Sequence, residues 1–343
     1  MATRILVPLD GSSLAEQALP CATTLGRGLP AELVLLCAVS IPSEVQELLN
    51  NANLKEKVSM EQLDAKADSY LHDVAVQLQE IGLNVHTVVR YAPAAEAIVD
   101  YAKQMEVQQI VMATHGYTGI SRWTHGSMAE RVLQSANVPV LMVRAQEKAS
   151  GDLQHPIPCQ RILVPLDGSE MAEQVLLPAA LTAKALEAEM ILFRVPIVYA
   201  SGSLMGEWYM PLEGTFETAK QDVQVYLDRV ADHLNEMEVN ASTATRIGPV
   251  AESIVEYAEA NHIDLIAMCT HGRTGLARWT LGSVADRVLR TGSIPILLVR
   301  AAEREKHKDL GKRRAAMTPQ EKVDWFWATG VLPGSMFDDL NAR

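Results

Sequence analysis

A long internal repeat constrains the fold of this chain more than any other feature. The nine residues Arg4–Ser12 reappear unchanged as Arg161–Ser169, at an offset of 157 positions. A second match follows at an offset of 156, where 17 of the 31 residues in Ala113–Val143 are identical to those in Cys269–Val299. Solenoid repeats are only about 20–50 residues long, so a period of this length indicates two duplicated domains.

The length of 343 residues fits this interpretation, because globular domains usually have about 100–200 residues. A hydrophobic content of 48% is that of soluble domains able to bury two cores. Proline residues at 156 and 158 indicate a linker between the copies. We therefore expect a first domain at 1–146, a linker at 147–160, a second domain at 161–301 and a C-terminal extension at 302–343.

Each copy alternates strands and helices. The apolar run Ile5–Leu9 predicts a strand buried on both faces, and Ser12–Gly28 predicts a helix that Pro20 kinks or breaks. The other elements predicted in the first copy are Leu33–Val39, a long helix ending near Gly82, Asn84–Arg90, a helix around Ala94–Gln104, Gln109–Ala113, a helix from Ser127, and Val140–Val143. In the second copy we predict strands that begin near Ile162, Met190, Ser242, Leu265 and Ile296. This alternation predicts doubly wound parallel sheets, an α/β fold.

Two recurring motifs are predicted to meet in one crevice in each copy. Asp10 and Asp167 close the first strands, and Thr114-His115-Gly116 closes a fourth strand. In the strand order 3-2-1-4-5, the first and fourth strands are neighbours at the switch point, where ligands bind. Each aspartate can form an Asx-turn or helix cap, or it can accept hydrogen bonds from a ribose hydroxyl or a base amine. The sequence leaves both roles open.

The segment after the fourth strand has the composition of a phosphate cradle. A Gly-Ser pair opens the next helix in both copies, and Ser127 with Glu130 and Ser283 with Asp286 have capping-box spacing. A helix N-terminus favours a bound anion, and Gly116 lacks a Cβ that would keep a phosphate away. A cap alone is the alternative interpretation of Gly-Ser, which the partner glycine and the second copy disfavour.

The histidines do not by themselves indicate an enzyme. His115 and His271 have no nucleophile or carboxylate at an informative spacing, which favours a structural or ligand-orienting role over a catalytic one. P-loop, H-E-x-x-H and G-x-S-x-G motifs are absent from the sequence. Arg122 and Arg278 could pair with phosphate or remain solvated in the loop.

Charge and cysteine content limit the partners. A net charge of −12 argues against binding to nucleic acid or to an anionic membrane surface. No apolar run reaches the roughly 18 residues that a membrane span needs. Four scattered cysteines without a C-x-x-C motif favour reduced thiols and a cytoplasmic location.

The C-terminal extension does not belong to the repeat. A basic stretch precedes Thr318-Pro319-Gln320-Glu321, which predicts the capped start of a short helix. That helix carries Trp325, Phe326 and Trp327, which cannot all face one side. We expect it to dock on its own chain or on a sister subunit, and a separate protein partner is the alternative.

These motifs together carry a family resemblance. Each half resembles a universal stress protein domain, and the chain to about Val299 resembles a tandem universal stress protein. The family pattern is Gly-x-x-Gly, nine residues, then Gly-Ser or Gly-Thr, preceded by a first-strand aspartate. The positions that match its ATP-binding members are Asp10, Gly116, Gly126 and Ser127 in the first copy and Asp167, Gly272, Gly282 and Ser283 in the second.

The resemblance implies a Rossmann-like fold of the adenine nucleotide alpha hydrolase type. It implies that Val140–Val143 pairs with Ile296–Val299 across the domains, that the protein forms a homodimer, and that each site binds Mg-ATP with at most slow hydrolysis. We therefore expect an ATP-binding stress-response regulator in which the nucleotide biases conformation or partner choice. A nucleotide-free scaffold that acts through dimerisation and its tail, or a slow ATPase, are the alternatives.

The chain departs from the family pattern at two positions in each copy. The first glycine of the pattern is Ala113 in one copy and the bulkier Cys269 in the other, and the adenine-lining position is Ala38 in one and Val195 in the other. Occupancy is therefore a separate question for each site. The residues assigned to nucleotide binding are Pro8, Asp10, Ala38, Met112, Ala113, His115, Gly116, Gly126, Ser127, Met128, Pro165, Asp167, Val195, Met268, Cys269, His271, Gly272, Gly282, Ser283 and Val284.

Overall fold

The computed structural model describes residues 3–39, 54–115, 128–145, 158–196, 215–270 and 281–301, together with positions 318, 321, 324 and 327. The chain divides into two compact units. The first unit comprises Met1–Cys159 with Pro295–Arg300, and the second comprises Gln160–Ile294 with Ala301–Arg343.

The first unit alternates strands and helices as the sequence predicts. Its elements are β1 (Thr3–Leu9), α1 (Ser13–Glu16), α2 (Leu19–Gly28), β2 (Ala31–Val39), α3 (Leu54–Glu80), β3 (Asn84–Tyr91), α4 (Ala94–Gln104), β4 (Gln109–His115), α5 (Met128–Ser135), β5 (Val140–Ala145) and β10 (Ile296–Val299). The strand order is β3-β2-β1-β4-β5-β10, so the predicted order 3-2-1-4-5 is confirmed.

The pairs β1–β2, β1–β4, β2–β3 and β4–β5 are parallel. Ile5, Leu6 and Val7 on β1 are fully buried, because helices cover both faces of such a sheet. The long helix α3 buries Leu71 and Leu78 along the stripe that the sequence predicts.

Strand β10 is the last strand of the second repeat along the chain but lies in the sheet of the first unit. It pairs antiparallel with β5, with Ile296 opposite Met142 and Leu298 opposite Val140. The predicted pairing of these two last strands is therefore confirmed. Leu297 on this strand is fully buried.

The second unit repeats the same alternation. Its described elements are β6 (Arg161–Pro165), α6 (Glu170–Glu173), α7 (Leu176–Leu186), β7 (Glu189–Arg194), α8 (Thr215–Glu236), β8 (Ala241–Thr245), α9 (Val250–Ala260), β9 (Leu265–Cys269) and α10 (Ser283–Thr291). Its strand order is β9-β6-β7-β8, and these pairs are parallel. In both units, the carboxyl ends of the first and fourth strands therefore lie side by side, which is where the candidate site was predicted.

Proline breaks the first helical segment as predicted. The segment divides into α1, which ends at Glu16, and α2, which begins at Leu19 with Pro20 in its first turn. Proline is tolerated in a first turn because its missing N–H would have no helical partner there. None of the described helices is both long and apolar enough to cross a membrane.

The tail begins its short helix at the predicted capping box. The Thr318 N–H and hydroxyl both donate to Glu321 Oε2, at 2.7 and 2.8 Å, and the Glu321 N–H donates to Thr318 Oγ1 at 3.3 Å. Trp327 then lies against the second unit, with Lys184 Nζ 5.0 Å from the centre of its ring. Trp325 and Phe326 lie outside the described residues.

Candidate functional site

A cleft opens at the carboxyl ends of β1, β2 and β4 in the first unit. Its cavity volume is about 60 Å³, and the cleft is partly open to solvent. The residues that line it are Pro8, Leu9, Asp10, Ser12, Leu14, Ala15, Leu36, Ala38, Ala94, Ile98, Met112, Ala113, Thr114 and Met128. Most of these side chains are apolar, and Asp10 supplies a carboxylate at the rim.

Six predicted site residues of the first copy meet at this cleft. They are Pro8, Asp10, Ala38, Met112, Ala113 and Met128. The backbone of His115 ends β4 beside them. Gly116, Gly126 and Ser127, which the sequence assigns to the phosphate cradle, lie outside the described residues, as does Arg122. The role of these four residues stays a prediction.

The Asp-Gly-Ser turn of the first unit both caps a helix and presents a carboxylate. Asp10 Oδ1 accepts from the Ser12 N–H at 2.9 Å, which is an Asx-turn, and Ser12 Oγ caps α1 by accepting from the Ala15 N–H at 3.1 Å. Gly11 has φ +81°, a left-handed conformation that glycine adopts without strain. Asp10 and Gly11 are both exposed, so the turn is open to a ligand.

The equivalent turn of the second unit has the same backbone but a different environment. Asp167 Oδ1 accepts from the Ser169 N–H at 2.9 Å and from its hydroxyl at 2.6 Å, and Gly168 has φ +80°. Gly168 is buried. The residue that covers it is Arg194, the last residue of β7: a Cβ added to Gly168 would lie 2.6 Å from Arg194 Nη1.

The predicted residues of the second copy lie at the same strand ends. Pro165 and Asp167 lie at the end of β6, Val195 follows β7, and Met268 and Cys269 end β9. Cys269 is buried, and its thiol donates a weak hydrogen bond to the Ala172 carbonyl at 3.5 Å. His271, Gly272, Arg278 and Trp279 lie outside the described residues.

The start of helix α10 differs from the prediction in one respect. Its N-cap is Gly282, and Ser283 is already the first helical residue, so the predicted capping box of Ser283 with Asp286 is wrong. The backbone explains this result: the Gly282 N–H donates to the Thr270 carbonyl at 2.8 Å, which fixes the helix start one residue earlier and beside the end of β9. Asp286 instead pairs with Arg290, with Nε and Oδ1 2.8 Å apart.

The N-cap Gly282 has no side chain with which to cap this helix. The N–H groups of the first turn, which include those of Ser283 and Val284, lie next to the end of β9. Such a helix start suits an anion, because the helix dipole and the N–H groups both favour negative charge.

A tyrosine–glutamate pair lies beside each Asp-Gly-Ser turn, and the sequence interpretation missed both pairs. Tyr70 donates to Glu16 Oε1 at 3.0 Å, and Tyr226 donates to Glu173 Oε1 at 2.9 Å. The nearly equal separations of 54 and 53 residues are a signal that aligning the two copies would have revealed.

Burial raises the pKa of the Glu173 carboxyl to about 7, although the hydrogen bond from Tyr226 and the charge of Arg229 act in the opposite direction. In the first unit, burial raises the pKa of the Cys37 thiol, and the carboxylates of Asp10 and Asp68 raise it further. Cys37 precedes Ala38 as Arg194 precedes Val195, so a thiol among carboxylates in one unit corresponds to a guanidinium in the other.

Metal coordination by protein side chains alone finds no support in the described part of the chain. Those residues contain no group of three or more histidine, cysteine, aspartate or glutamate side chains that could hold a metal ion.

Comparison with known proteins identifies the family. The universal stress protein family model matches residues 1–144 and again residues 158–300. The chain belongs to the universal stress protein family. Its two matched segments correspond to the two copies of the repeat, so the chain carries two universal stress protein domains in tandem.

Individual relatives agree with this assignment. The universal stress protein MJ0531 of Methanocaldococcus jannaschii is 35% identical over 150 residues, which are 43% of this chain and 85% of that protein. The universal stress protein Slr1230 of Synechocystis is 25% identical over 319 residues, covering 86% of this chain and 99% of its own length. The crystal structure of a universal stress protein from Archaeoglobus fulgidus matches with a TM-score of 0.61 at 18% identity, over 88% of this chain and 97% of that one. This structural match shows a common fold.

Proposed function

We propose that the cleft of the first unit binds an adenine nucleotide and that the protein is an ATP-binding regulator of the stress response. The observation that carries this proposal is the convergence of an exposed carboxylate, Asp10, with an apolar pocket at the switch point of a parallel sheet. Membership of the universal stress protein family supports the role in stress.

The described residues suit the nucleoside part of such a ligand. Ala38 and Met128, which line the cleft and are not buried, offer an apolar surface for the flat face of a base. Asp10 accepts a hydrogen bond from a ribose hydroxyl or a base amine, and its Asx-turn to Ser12 holds the carboxylate in place.

The phosphates are assigned by the family pattern to the segment with Gly116, Gly126 and Ser127. Bound Mg²⁺ would neutralise phosphate charge there. Chain residues at the cleft need only orient the nucleotide, and no hydrolytic step is part of the proposal. Nucleotide binding would bias conformation or partner choice, in a homodimer or with a protein that contacts the tail. None of the four cysteines, all of which the structure describes, forms a disulfide, which suits a cytoplasmic location.

Calorimetric titration of the full chain with Mg-ATP tests the proposal. We expect saturable binding that Asp10→Ala weakens about tenfold or more, because a charge-assisted hydrogen bond is lost. Asp73→Asn, on the exposed face of α3, is the matched control and should bind like the unsubstituted protein. Absence of heat, with an unchanged melting temperature at millimolar Mg-ATP, would refute nucleotide binding.

A further inference from the structure

The two candidate sites differ at one residue near the carboxyl end of their second strand. Cys37 lies near the end of β2 beside Asp10, whereas Arg194 ends β7 beside Asp167, and the two positions are equivalent in the repeat. The backbone around them is nearly the same, because Gly11 and Gly168 have φ values of +81° and +80°. The exchange therefore places a long cation where the first unit has a short thiol.

Two observations fix where the Arg194 side chain lies, and a third shows that Gly11 in the first unit has no such neighbour. Its guanidinium carbon is 4.8 Å from the centre of the Tyr226 ring, which is a cation–π contact. A Cβ on Gly168 would meet Nη1, Cζ and Nη2 of Arg194 at 2.6 to 2.9 Å. A Cβ on Gly11 would meet nothing within 4 Å. The guanidinium thus rests between the tyrosine ring and the turn, over the surface that the first unit leaves open.

The surroundings hold the guanidinium in this position. Tyr226 is buried and is itself fixed by its hydrogen bond to Glu173, so the aromatic face cannot turn away. Strand β7 also holds Arg194 close to the end of β6, because the Leu166 N–H after β6 donates to the carbonyl of Phe193, the residue before Arg194, at 2.8 Å. Asp167 supplies negative charge on the same side, which favours a resident cation.

We propose that Arg194 is a specificity-determining residue that covers the second site and makes the two sites unequal. A nucleotide that uses Asp167 as the first unit uses Asp10 has to displace the guanidinium, with loss of its contact to Tyr226. The first unit requires no such displacement. The second site therefore binds adenine nucleotide more weakly, or not at all, at concentrations that saturate the first. This inference rests on the proposed nucleotide binding for its functional consequence, but the cover itself exists without a ligand.

Reciprocal exchange of the two residues tests the functional consequence. Titration with Mg-ATP should give one tight site per chain in the unsubstituted protein and a second site in Arg194→Cys, whose affinity rises about tenfold or more. Cys37→Arg should weaken the first site by a similar factor. Arg194→Lys is the control, because it keeps the positive charge but cannot stack in the same planar manner, so a partial gain is expected. Two equal sites in the unsubstituted protein, unchanged in Arg194→Cys, would overturn the proposal.

A second measurement tests the cover without nucleotide. Gly168→Ala and Gly11→Ala impose the same left-handed strain, but only the former places a Cβ against the guanidinium. We expect Gly168→Ala to lower the melting temperature by about 2 °C more than Gly11→Ala. This excess should vanish in the Arg194→Cys background. If the excess is absent, or persists without Arg194, the guanidinium does not cover the turn and the proposal fails. If neither the unsubstituted protein nor Arg194→Cys binds Mg-ATP, the proposed nucleotide function is refuted, and the unfolding comparison alone decides whether the cover exists.

Discussion

The Asp-Gly-Ser turn of the first unit is open to solvent, whereas the identical turn of the second unit lies beneath an arginine. Both turns form the same Asx hydrogen bond and the same serine cap. They differ because residue 37 is cysteine and residue 194 is arginine. A repeated backbone motif therefore does not imply a repeated site, since side chains from a neighbouring strand decide whether the motif is accessible.

The same contrast extends to the tyrosine–glutamate pairs behind the turns. Glu173 and Tyr226 are 8% and 1% exposed, while Glu16 and Tyr70 are half-buried. Burying a carboxylate costs free energy, so the stability of the second unit should depend more strongly on pH and on the hydrogen bond within this pair. Three experiments, given in order of decreasing expected effect, test this difference between the units.

The largest expected effect is a dependence of stability on pH that belongs to the second unit. Burial raises the pKa of Glu173 from 4.5 to about 7, so the folded chain keeps a proton on this carboxyl at pH values where the unfolded chain has already lost it. The stabilisation that results is complete below pH 4.5 and is lost as pH rises through 7, which lowers the free energy of unfolding by about 3 kcal/mol. Urea unfolding between pH 4 and 8 measures this slope.

Glu173→Gln is uncharged throughout this range and should flatten the slope. Glu16→Gln, at the equivalent position of the first unit, is the matched control for loss of a carboxylate. Equal slopes in the unsubstituted protein and in Glu173→Gln would show that the buried pair does not distinguish the units.

A smaller effect should follow removal of the tyrosine hydroxyls. Tyr226→Phe leaves the buried Glu173 without its 2.9 Å donor and should lower the free energy of unfolding by about 1–3 kcal/mol. Tyr70→Phe should cost about 0.5–1.5 kcal/mol, because the half-buried Glu16 can be solvated instead. Urea unfolding at pH 8 compares the two substitutions, and a larger loss for Tyr70→Phe would reverse the ranking of the units.

The smallest effect concerns the tail, which contacts the second unit through Trp327. A double-mutant cycle of Lys184→Met and Trp327→Leu should give a coupling energy of about 0.5–1 kcal/mol, the usual size for a partly exposed cation–π contact. Arg27 occupies the position in α2 that Lys184 occupies in α7, so a cycle with Arg27→Met supplies the baseline. Equal coupling energies in the two cycles would show that Trp327 makes no specific contact with Lys184 and that the tail does not distinguish the two units.

Much of the fold could be predicted because its signals are local. The buried run in β1, the helix break before Pro20 and the alternation of strands with helices follow from apolar patterning and backbone sterics. The repeat then gave the second unit by analogy. The strand order was that of the common doubly wound fold, and the pairing of the last strands followed from the family resemblance.

The candidate site was less accessible to prediction. Asp10 and Ala38 both line the cleft: Asp10 was expected there because strand ends converge at the switch point, and Ala38 because of the family resemblance. Their contacts with a nucleotide stay a prediction. The cover by Arg194 was not predicted, since no local pattern specifies the direction of a long side chain at a strand end. The helix cap at Gly282 was missed by one residue because a backbone hydrogen bond to Thr270 outweighs the preference of serine for the cap position.

The position of β10 has a consequence for synthesis of the chain. The ribosome makes β5 first and reaches Ile296 only about 150 residues later, a delay of roughly 8–30 s at common elongation rates. Until then, the edge of β5 that β10 later pairs with has no such partner. An unpaired strand edge invites association with other chains, so the nascent first domain is most vulnerable to aggregation while the second is being translated.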